Sequence, residues 1–150
     1  DALQLGVEFP MPVDDGAKTV LEYSQEYDSF DKAYDDLHSP LVCVDETMGL
    51  NLTKLEARKS GENMYEIVIE YKNHSELFSI IMSTLNDETT LAALEDESDT
   101  LQTTIGEIIV WQSSDECRGI AVENGYLFRI RGEMKYDRFI DICKNLKFFN

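Results

Sequence analysis

Histidine and cysteine are scarce in this chain, which limits the kinds of site that its sequence can contain. The 150 residues include two histidines and three cysteines. Neither histidine lies in a metal-binding or nucleophile motif, and we expect His38 and His74 to be surface residues of turns. Cys43, Cys117 and Cys143 are odd in number and form no C-x-x-C pair, so neither a disulfide framework nor a zinc site is predicted. We expect Cys143 to be a buried free thiol on the apolar face of a helix.

Motifs for catalysis or cofactor binding are also absent from the sequence. There is no glycine-rich phosphate loop, and a pair of carboxylates for glycoside hydrolysis has no support beyond the abundance of acidic residues. No acidic cluster matches the calcium-loop pattern, so solvated charge is favoured over calcium binding. We therefore predict that the protein is not an enzyme, has no cofactor, and has no catalytic, cofactor-binding or metal-binding residue. The acidic clusters are Asp14-Asp15, Asp35-Asp36, Asp45-Glu46, Asp87-Glu88 and Glu95-Asp96-Glu97.

Basic side chains are few, with 13 lysines and arginines against 30 acidic residues and a formal net charge of −17. A surface this negative repels phosphate backbones, so we expect no nucleic-acid partner and no binding to anionic membranes. Basic proteins, cations and positively charged wall or peptide ligands remain open. The simplest interpretation is that the acidity keeps the domain soluble.

Long apolar runs are missing as well. No stretch approaches the roughly 20 residues that cross a bilayer, and the N-terminus has no signal-peptide pattern. We expect no membrane insertion by this segment. The chain begins at Asp1 and not at Met, so we expect a mature or trimmed form whose anchor or signal lies outside the given sequence.

What is present suits one compact domain over residues 1–150, because 43% of the chain is hydrophobic. Residues 3–12 are apolar and contain two prolines, which favours a leading segment or an edge strand. Residues 20–23 suit a short strand. Ser29 then resembles an N-cap of a short core-facing helix that Pro40 ends. The apolar face of that helix consists of Phe30, Ala33, Tyr34 and Leu37.

The rest of the chain predicts a sheet and a closing helix. Six segments have strand patterns, and residues 86–100 suit an exposed loop. Lys135 precedes a second helix, whose apolar stripe we predict to be Tyr136, Phe139, Ile140 and Cys143. We therefore predict an α+β fold, an antiparallel meander sheet of about six strands packed against two helices on one face. The predicted strands are residues 52–59, 64–72, 77–85, 106–112, 118–123 and 126–131.

The junction Asn124-Gly125 is the clearest local signal, because a type I′ hairpin turn needs positive φ at both central residues. A two-residue loop fixes the register, so Ala121 is predicted to face Phe128 and Gly119 to face Ile130. Ile120, Val122 and Leu127 then lie on the opposite face of the sheet, so we expect both faces to be at least partly covered. Trp111 is a further residue of interest, because its indole N–H needs a partner if buried and offers a ligand face if exposed.

The order of these elements resembles a family of uncharacterised extracytoplasmic domains in Gram-positive membrane-anchored proteins, some of them anti-sigma-factor-like. The resemblance rests on residues 105–112, on residues 119–132 with their Asn-Gly turn, and on the helix ending at Leu146. Residues 27–33 and 39–41 also resemble the family's helix and the proline after it. The resemblance covers about two thirds of the chain and implies a sensor or ligand-binding module outside the cell.

Three functions follow as hypotheses. The first is a non-enzymatic extracytoplasmic sensing or interaction domain, located at the cell surface, which binds an unknown protein. The second is a carrier of a lipid or other apolar ligand, which a lined cavity between sheet and helices would favour. The third is an acidic inhibitor or immunity protein for a basic partner, which salt-sensitive binding would favour.

Overall fold

The computed structural model describes residues 22–60, 64–84 and 98–149. The leading segment or edge strand predicted at residues 3–12 and residues 86–97 of the predicted loop lie outside these ranges. The loop prediction is wrong at Asp99 and Thr100, which belong to a strand. In chain order the elements are β1 (Glu22–Glu26), α1 (Phe30–Leu37), β2 (Val42–Cys43), a 3-10 turn (Glu46–Met48), β3 (Asn51–Ser60), β4 (Met64–Lys72), β5 (Leu77–Thr84), β6 (Asp99–Thr103), β7 (Gly106–Ser113), β8 (Glu116–Glu123), β9 (Tyr126–Glu133), α2 (Tyr136–Lys144) and β10 (Lys147–Phe148).

The main sheet has eight antiparallel strands in the order β1-β3-β4-β5-β9-β8-β7-β6, and β10 pairs with β2 in a small second sheet. The predicted α+β class, with a large antiparallel sheet and two helices, is confirmed. The prediction of about six strands is wrong, because β1 and β6 add one short strand at each edge. β1 overlaps the short strand expected at residues 20–23. In β6 only Leu101 is buried, so hydrophobic alternation does not mark that strand.

The predicted meander order holds in two runs but not across the whole sheet. Strands β3 to β5 are sequential neighbours, and so are β6 to β9. The two runs join through β5 and β9, which pair antiparallel with Ile80 opposite Ile130. The closing strand of the second run therefore lies in the middle of the sheet.

The local signals predicted from sequence are found at the first helix and at the hairpin. Ser29 caps α1, where its hydroxyl accepts a hydrogen bond from the Lys32 backbone N–H at 3.3 Å. Asn124 and Gly125 have φ values of 54° and 83°, as the type I′ turn requires. Ala121 faces Phe128 and Gly119 faces Ile130, which confirms the predicted register.

The core lies between the inner face of the sheet and the two helices. Phe78 and Phe128 from the sheet and Phe139 from α2 are almost completely buried, and the rings of Phe78 and Phe139 have centroids 5.7 Å apart. The stripe predicted for α2 is partly wrong. Phe139, Ile142 and Cys143 are the buried residues, whereas Tyr136 and Ile140 pack at the margin of the core.

Candidate interaction surface

The side of the main sheet that faces away from the helices is called the outer face below. Because side chains alternate along a strand, every second residue of β7, β8 and β9 lies on it. Cross-strand pairing joins Trp111 to Arg118, Arg118 to Arg131, Ile120 to Arg129 and Val122 to Leu127. The outer side chains of these three strands are Glu107, Ile109, Trp111, Ser113, Glu116, Arg118, Ile120, Val122, Leu127, Arg129, Arg131 and Glu133.

Five of these twelve side chains are apolar or aromatic, and together they form the outer patch: Ile109, Trp111, Ile120, Val122 and Leu127. Val122 is 43% exposed, and the other four are half-buried. The buried side chains of both helices join the core on the inner face, and none of the described helices or strands lies over the outer patch. Partly exposed apolar side chains that are contiguous across three strands are typical of a binding surface.

Arginine and glutamate side chains surround the outer patch. Glu116 pairs with Arg118 and also approaches Arg131, with 3.7 Å between its Oε1 and the arginine Nε. Arg131 lies 3.6 Å from Glu133. Arg129 pairs across the sheet with Glu66 at 3.0 Å. The arginines are about half exposed, so their guanidinium groups remain available to a partner.

Sequence reasoning found part of this surface. It placed Ile120, Val122 and Leu127 on one face and singled out Trp111, which is half-buried on the outer face. It missed the arginines, although extending the register of the Asn-Gly hairpin by four residues would have placed Arg118 opposite Arg131.

A second polar network is structural, because it joins α2 to two loops. The Arg138 guanidinium donates to the Met48 carbonyl oxygen and to Glu76 Oε1, the latter at 3.2 Å. Asn73 Nδ2 donates to the same Glu76 oxygen at 2.9 Å. Burial alone would raise the pKa of Glu76, but the hydrogen bonds from Asn73 and Arg138 outweigh it and hold this pKa below its ordinary value.

An acidic groove of about 540 Å³ lies where β1 leads into α1. The Tyr27 hydroxyl donates to Asp36 at 2.5 Å, and Lys32 lies 3.8 Å from Asp28. The cluster Asp35-Asp36 lines this groove. Asp45 instead caps the 3-10 turn by accepting from the Thr47 backbone N–H at 2.9 Å. The remaining predicted clusters, Asp14-Asp15, Asp87-Glu88 and Glu95-Asp96-Glu97, lie outside the described residues.

The thiols and histidines lie apart from the outer patch. Cys117 and Cys143 are buried and Cys43 is half-buried, and all three are free. Burial raises the pKa of all three thiols, which disfavours the reactive thiolate form. His38 caps the end of α1, and both His38 and His74 are exposed. Within residues 22–60, 64–84 and 98–149, no three acidic, histidine or cysteine side chains are grouped as a metal site.

Neither of the described helices has the length and apolar character needed to cross a bilayer. The resemblance to the extracytoplasmic family remains a prediction from the sequence. Comparison of the chain with protein-family models, with curated proteins and with solved structures finds no match.

Proposed function

We propose that this chain is a non-enzymatic sensing or interaction domain that binds a partner protein through the outer patch. The observation that carries the proposal is the exposure of Val122, 43% of whose surface is accessible near the hairpin end of β8, beside the half-buried Ile120 and Leu127. Burying a fully exposed side chain of this kind contributes about 1.5–3 kcal/mol, and covering the 43% of Val122 that is still accessible contributes a corresponding part of that free energy. A partner that covers the outer patch therefore gains binding energy that the isolated chain does not use.

The composition of the outer patch also supports protein binding. Aromatic residues and arginine are enriched where proteins bind each other, and tryptophan often dominates the binding energy. Trp111 lies beside Arg118 on the neighbouring strand. A rigid sheet holds these side chains at fixed spacing, so a partner meets a surface that needs little ordering on binding.

The setting that we propose is extracytoplasmic, with the chain attached to a membrane by a segment outside the given sequence. Ser114 offers a test, because it is exposed in the turn between β7 and β8. The backbone there, with a φ of 53°, already carries a side chain close in size to that of cysteine. A Ser114→Cys variant should react with a membrane-impermeant maleimide on intact cells. Reaction only after lysis would contradict this location. The native chain provides the background control.

The binding proposal is tested by affinity capture after chemical crosslinking in the cells that produce the protein. Val122→Glu places a charge in the outer patch, and we expect it to lose a protein that the native chain captures. Tyr34→Glu is the matched control, because Tyr34 is 41% exposed and lies on α1, away from the outer face. Equal capture by all three proteins would overturn the proposal.

The acidic groove favours a second candidate, an inhibitor or immunity protein for a basic partner. Glu26, Asp28, Asp35 and Asp36 line one open depression, and the whole chain has a charge of −17. Binding at this groove should weaken steeply with salt and be lost in an Asp35→Asn, Asp36→Asn variant. The carrier hypothesis remains a prediction from the sequence.

A further inference from the structure

We infer that Asn124 is a site of spontaneous deamidation, and that its conversion to isoaspartate loosens the hairpin of β8 and β9. Asparagine is among the thermolabile residues of proteins, and this reaction needs neither an enzyme nor a cofactor. The inference concerns the chemistry of the turn, so it holds or fails independently of what the outer patch binds.

The reaction uses two groups of the Asn-Gly turn and one water molecule. The backbone nitrogen of Gly125 attacks Cγ of Asn124, and the bond from Cγ to Nδ2 breaks as ammonia leaves with the proton of the attacking nitrogen. Water then opens the cyclic imide. Opening at Cγ gives aspartate, whereas opening at the main-chain carbonyl carbon gives isoaspartate, in which the chain runs through Cγ. Either product carries a carboxylate that Asn124 lacks.

Both reacting groups are accessible at the tip of the hairpin. Asn124 and Gly125 are exposed, and none of the described residues forms a hydrogen bond with the Asn124 side chain. The pair Glu123 and Tyr126 closes the ladder, so the Gly125 nitrogen lies in the loop beyond it.

Ring closure also requires the peptide group between Asn124 and Gly125 to rotate out of the type I′ turn. Glycine permits this rotation, because it has no side chain that restricts its backbone. The surroundings permit it too, since a Cβ added to Gly125 would have no atom within 4 Å. Because the turn must open for this step, the folded hairpin should react more slowly than the unfolded chain.

Two other described asparagines are less suited to the reaction. The Asn73 side chain donates to Glu76 Oε1 at 2.9 Å and accepts from the Glu76 backbone N–H at 2.7 Å, so its Cγ is held in place. Asn51 is exposed, but Leu52 follows it within β3. The ladder with β4 holds the backbone there, and the branched leucine side chain hinders attack. The structure therefore points to Asn124 as the first of the three to react.

Isoaspartate would disrupt the turn that sets the register of the hairpin. It adds one carbon to the main chain of a two-residue loop, whose type I′ form depends on the geometry of both residues. The new carboxylate also lies next to Glu123, which packs against the neighbouring turn at Gly106, where an added Cβ would lie 2.5 Å from the glutamate Cδ. Val122 and Leu127 form the next cross-strand pair, so the change extends toward the outer patch.

Peptide mapping by mass spectrometry, after storage of the purified chain in isotopically labelled water, tests the inference. Labelled oxygen should enter the peptide with Asn124 several-fold faster than the peptides with Asn73 or Asn51. The rate should increase from neutral to mildly alkaline buffer, because the attacking nitrogen must lose its proton. Asn124→Gly is the matched control, since Gly-Gly suits the same turn, and its hairpin peptide should take up no label.

Urea unfolding of the separated isoaspartate form tests the structural consequence. This form should unfold at a lower urea concentration than the native chain. Asn124→Asp carries the same added charge without the additional carbon, and we expect it to lose less stability. Label that enters at Asn124 in urea but not in the folded chain would overturn the inference, because the turn would then protect the residue. Equal rates at the three asparagines, or an isoaspartate form as stable as Asn124→Asp, would overturn it as well.

Discussion

The ring of Phe139 on α2 occupies the space that a side chain at position 132 of β9 would need. A Cβ added to Gly132 would lie 2.5 Å from Phe139 Cδ1 and 2.9 Å from Cε1. This close approach places the Phe139 side chain over the middle of the sheet, where β9 pairs with both β5 and β8.

Gly132→Ala should destabilise the fold by about 1–3 kcal/mol, because the added methyl group overpacks a filled core. Urea unfolding would measure the loss of unfolding free energy. Gly119→Ala is the matched control on β8, since its nearest contact would be 3.2 Å from Val110, and we expect a smaller cost. A Gly132→Ala, Phe139→Leu double variant should lose less than the sum of its single variants. Additive losses would contradict the steric explanation.

Tyr71 connects the sheet to the segment that follows α1. Its buried hydroxyl accepts a hydrogen bond from the Val44 backbone N–H at 3.2 Å, and burial raises the pKa of Tyr71 to about 12. Tyr71→Phe should cost about 1–3 kcal/mol of unfolding free energy, because it leaves a buried N–H without a partner. Tyr34→Phe, at an exposed position, should have little effect. An unchanged free energy of unfolding for Tyr71→Phe would show that this hydrogen bond does not stabilise the fold.

Glu76 should make the fold sensitive to acid. Its folded-state pKa lies below the ordinary value of 4.5, so the unfolded chain binds a proton more readily than the folded chain does. The stabilisation is therefore present above pH 4.5 and is lost as the pH falls through the lower folded-state value.

Urea unfolding of the native chain and of Glu76→Gln at several pH values would check this dependence. The variant should be less stable near neutral pH but lose less stability between neutral pH and the acid range. Arg138→Met should show the same reduced dependence, because it removes a hydrogen bond that lowers the pKa of Glu76. If the stability of both variants depends on pH as the native chain's does, ionisation of Glu76 does not cause the loss of stability in acid.

An alkylating reagent should reach the three thiols to different extents. Cys117 and Cys143 are completely buried, whereas Cys43 is half-buried. Mass spectrometry after brief iodoacetamide treatment should therefore find modification at Cys43 first, and at the other two only when denaturant is added. Burial raises the pKa of Cys43, so even this reaction should be slow at neutral pH. Rapid modification of Cys143 in the folded chain would contradict the packing described for α2.

Much of the fold could be predicted because its central strands obey simple patterns. In β4, Ile67, Ile69 and Tyr71 alternate with Glu66, Val68 and Glu70, which are mostly polar. The turn Asn124-Gly125 fixes the register of β8 against β9. β6 could not be predicted in this way, since one buried Leu101 makes no alternation. Neither could the pairing of β5 with β9, because contacts between distant segments leave no local signal.

The candidate surface was only half predictable for a related reason. Alternation places Val122 on the face opposite Ala121, but it does not indicate whether a helix covers that face. The exposure of the outer patch follows from where α2 packs, and α2 packs on the inner face around Gly132. The arginines form a group only through the pairing of β8 with β9, which places Arg118 opposite Arg131 and beside Arg129.

Photocrosslinking from position 122 tests the central claim, that the outer patch is a protein-binding surface. A benzoylphenylalanine replacing Val122 in the producing cells should form a covalent adduct with another protein molecule. The same probe at Tyr34, of almost equal exposure, should form none. No adduct at position 122, or adducts at position 34 alone, would contradict the claim.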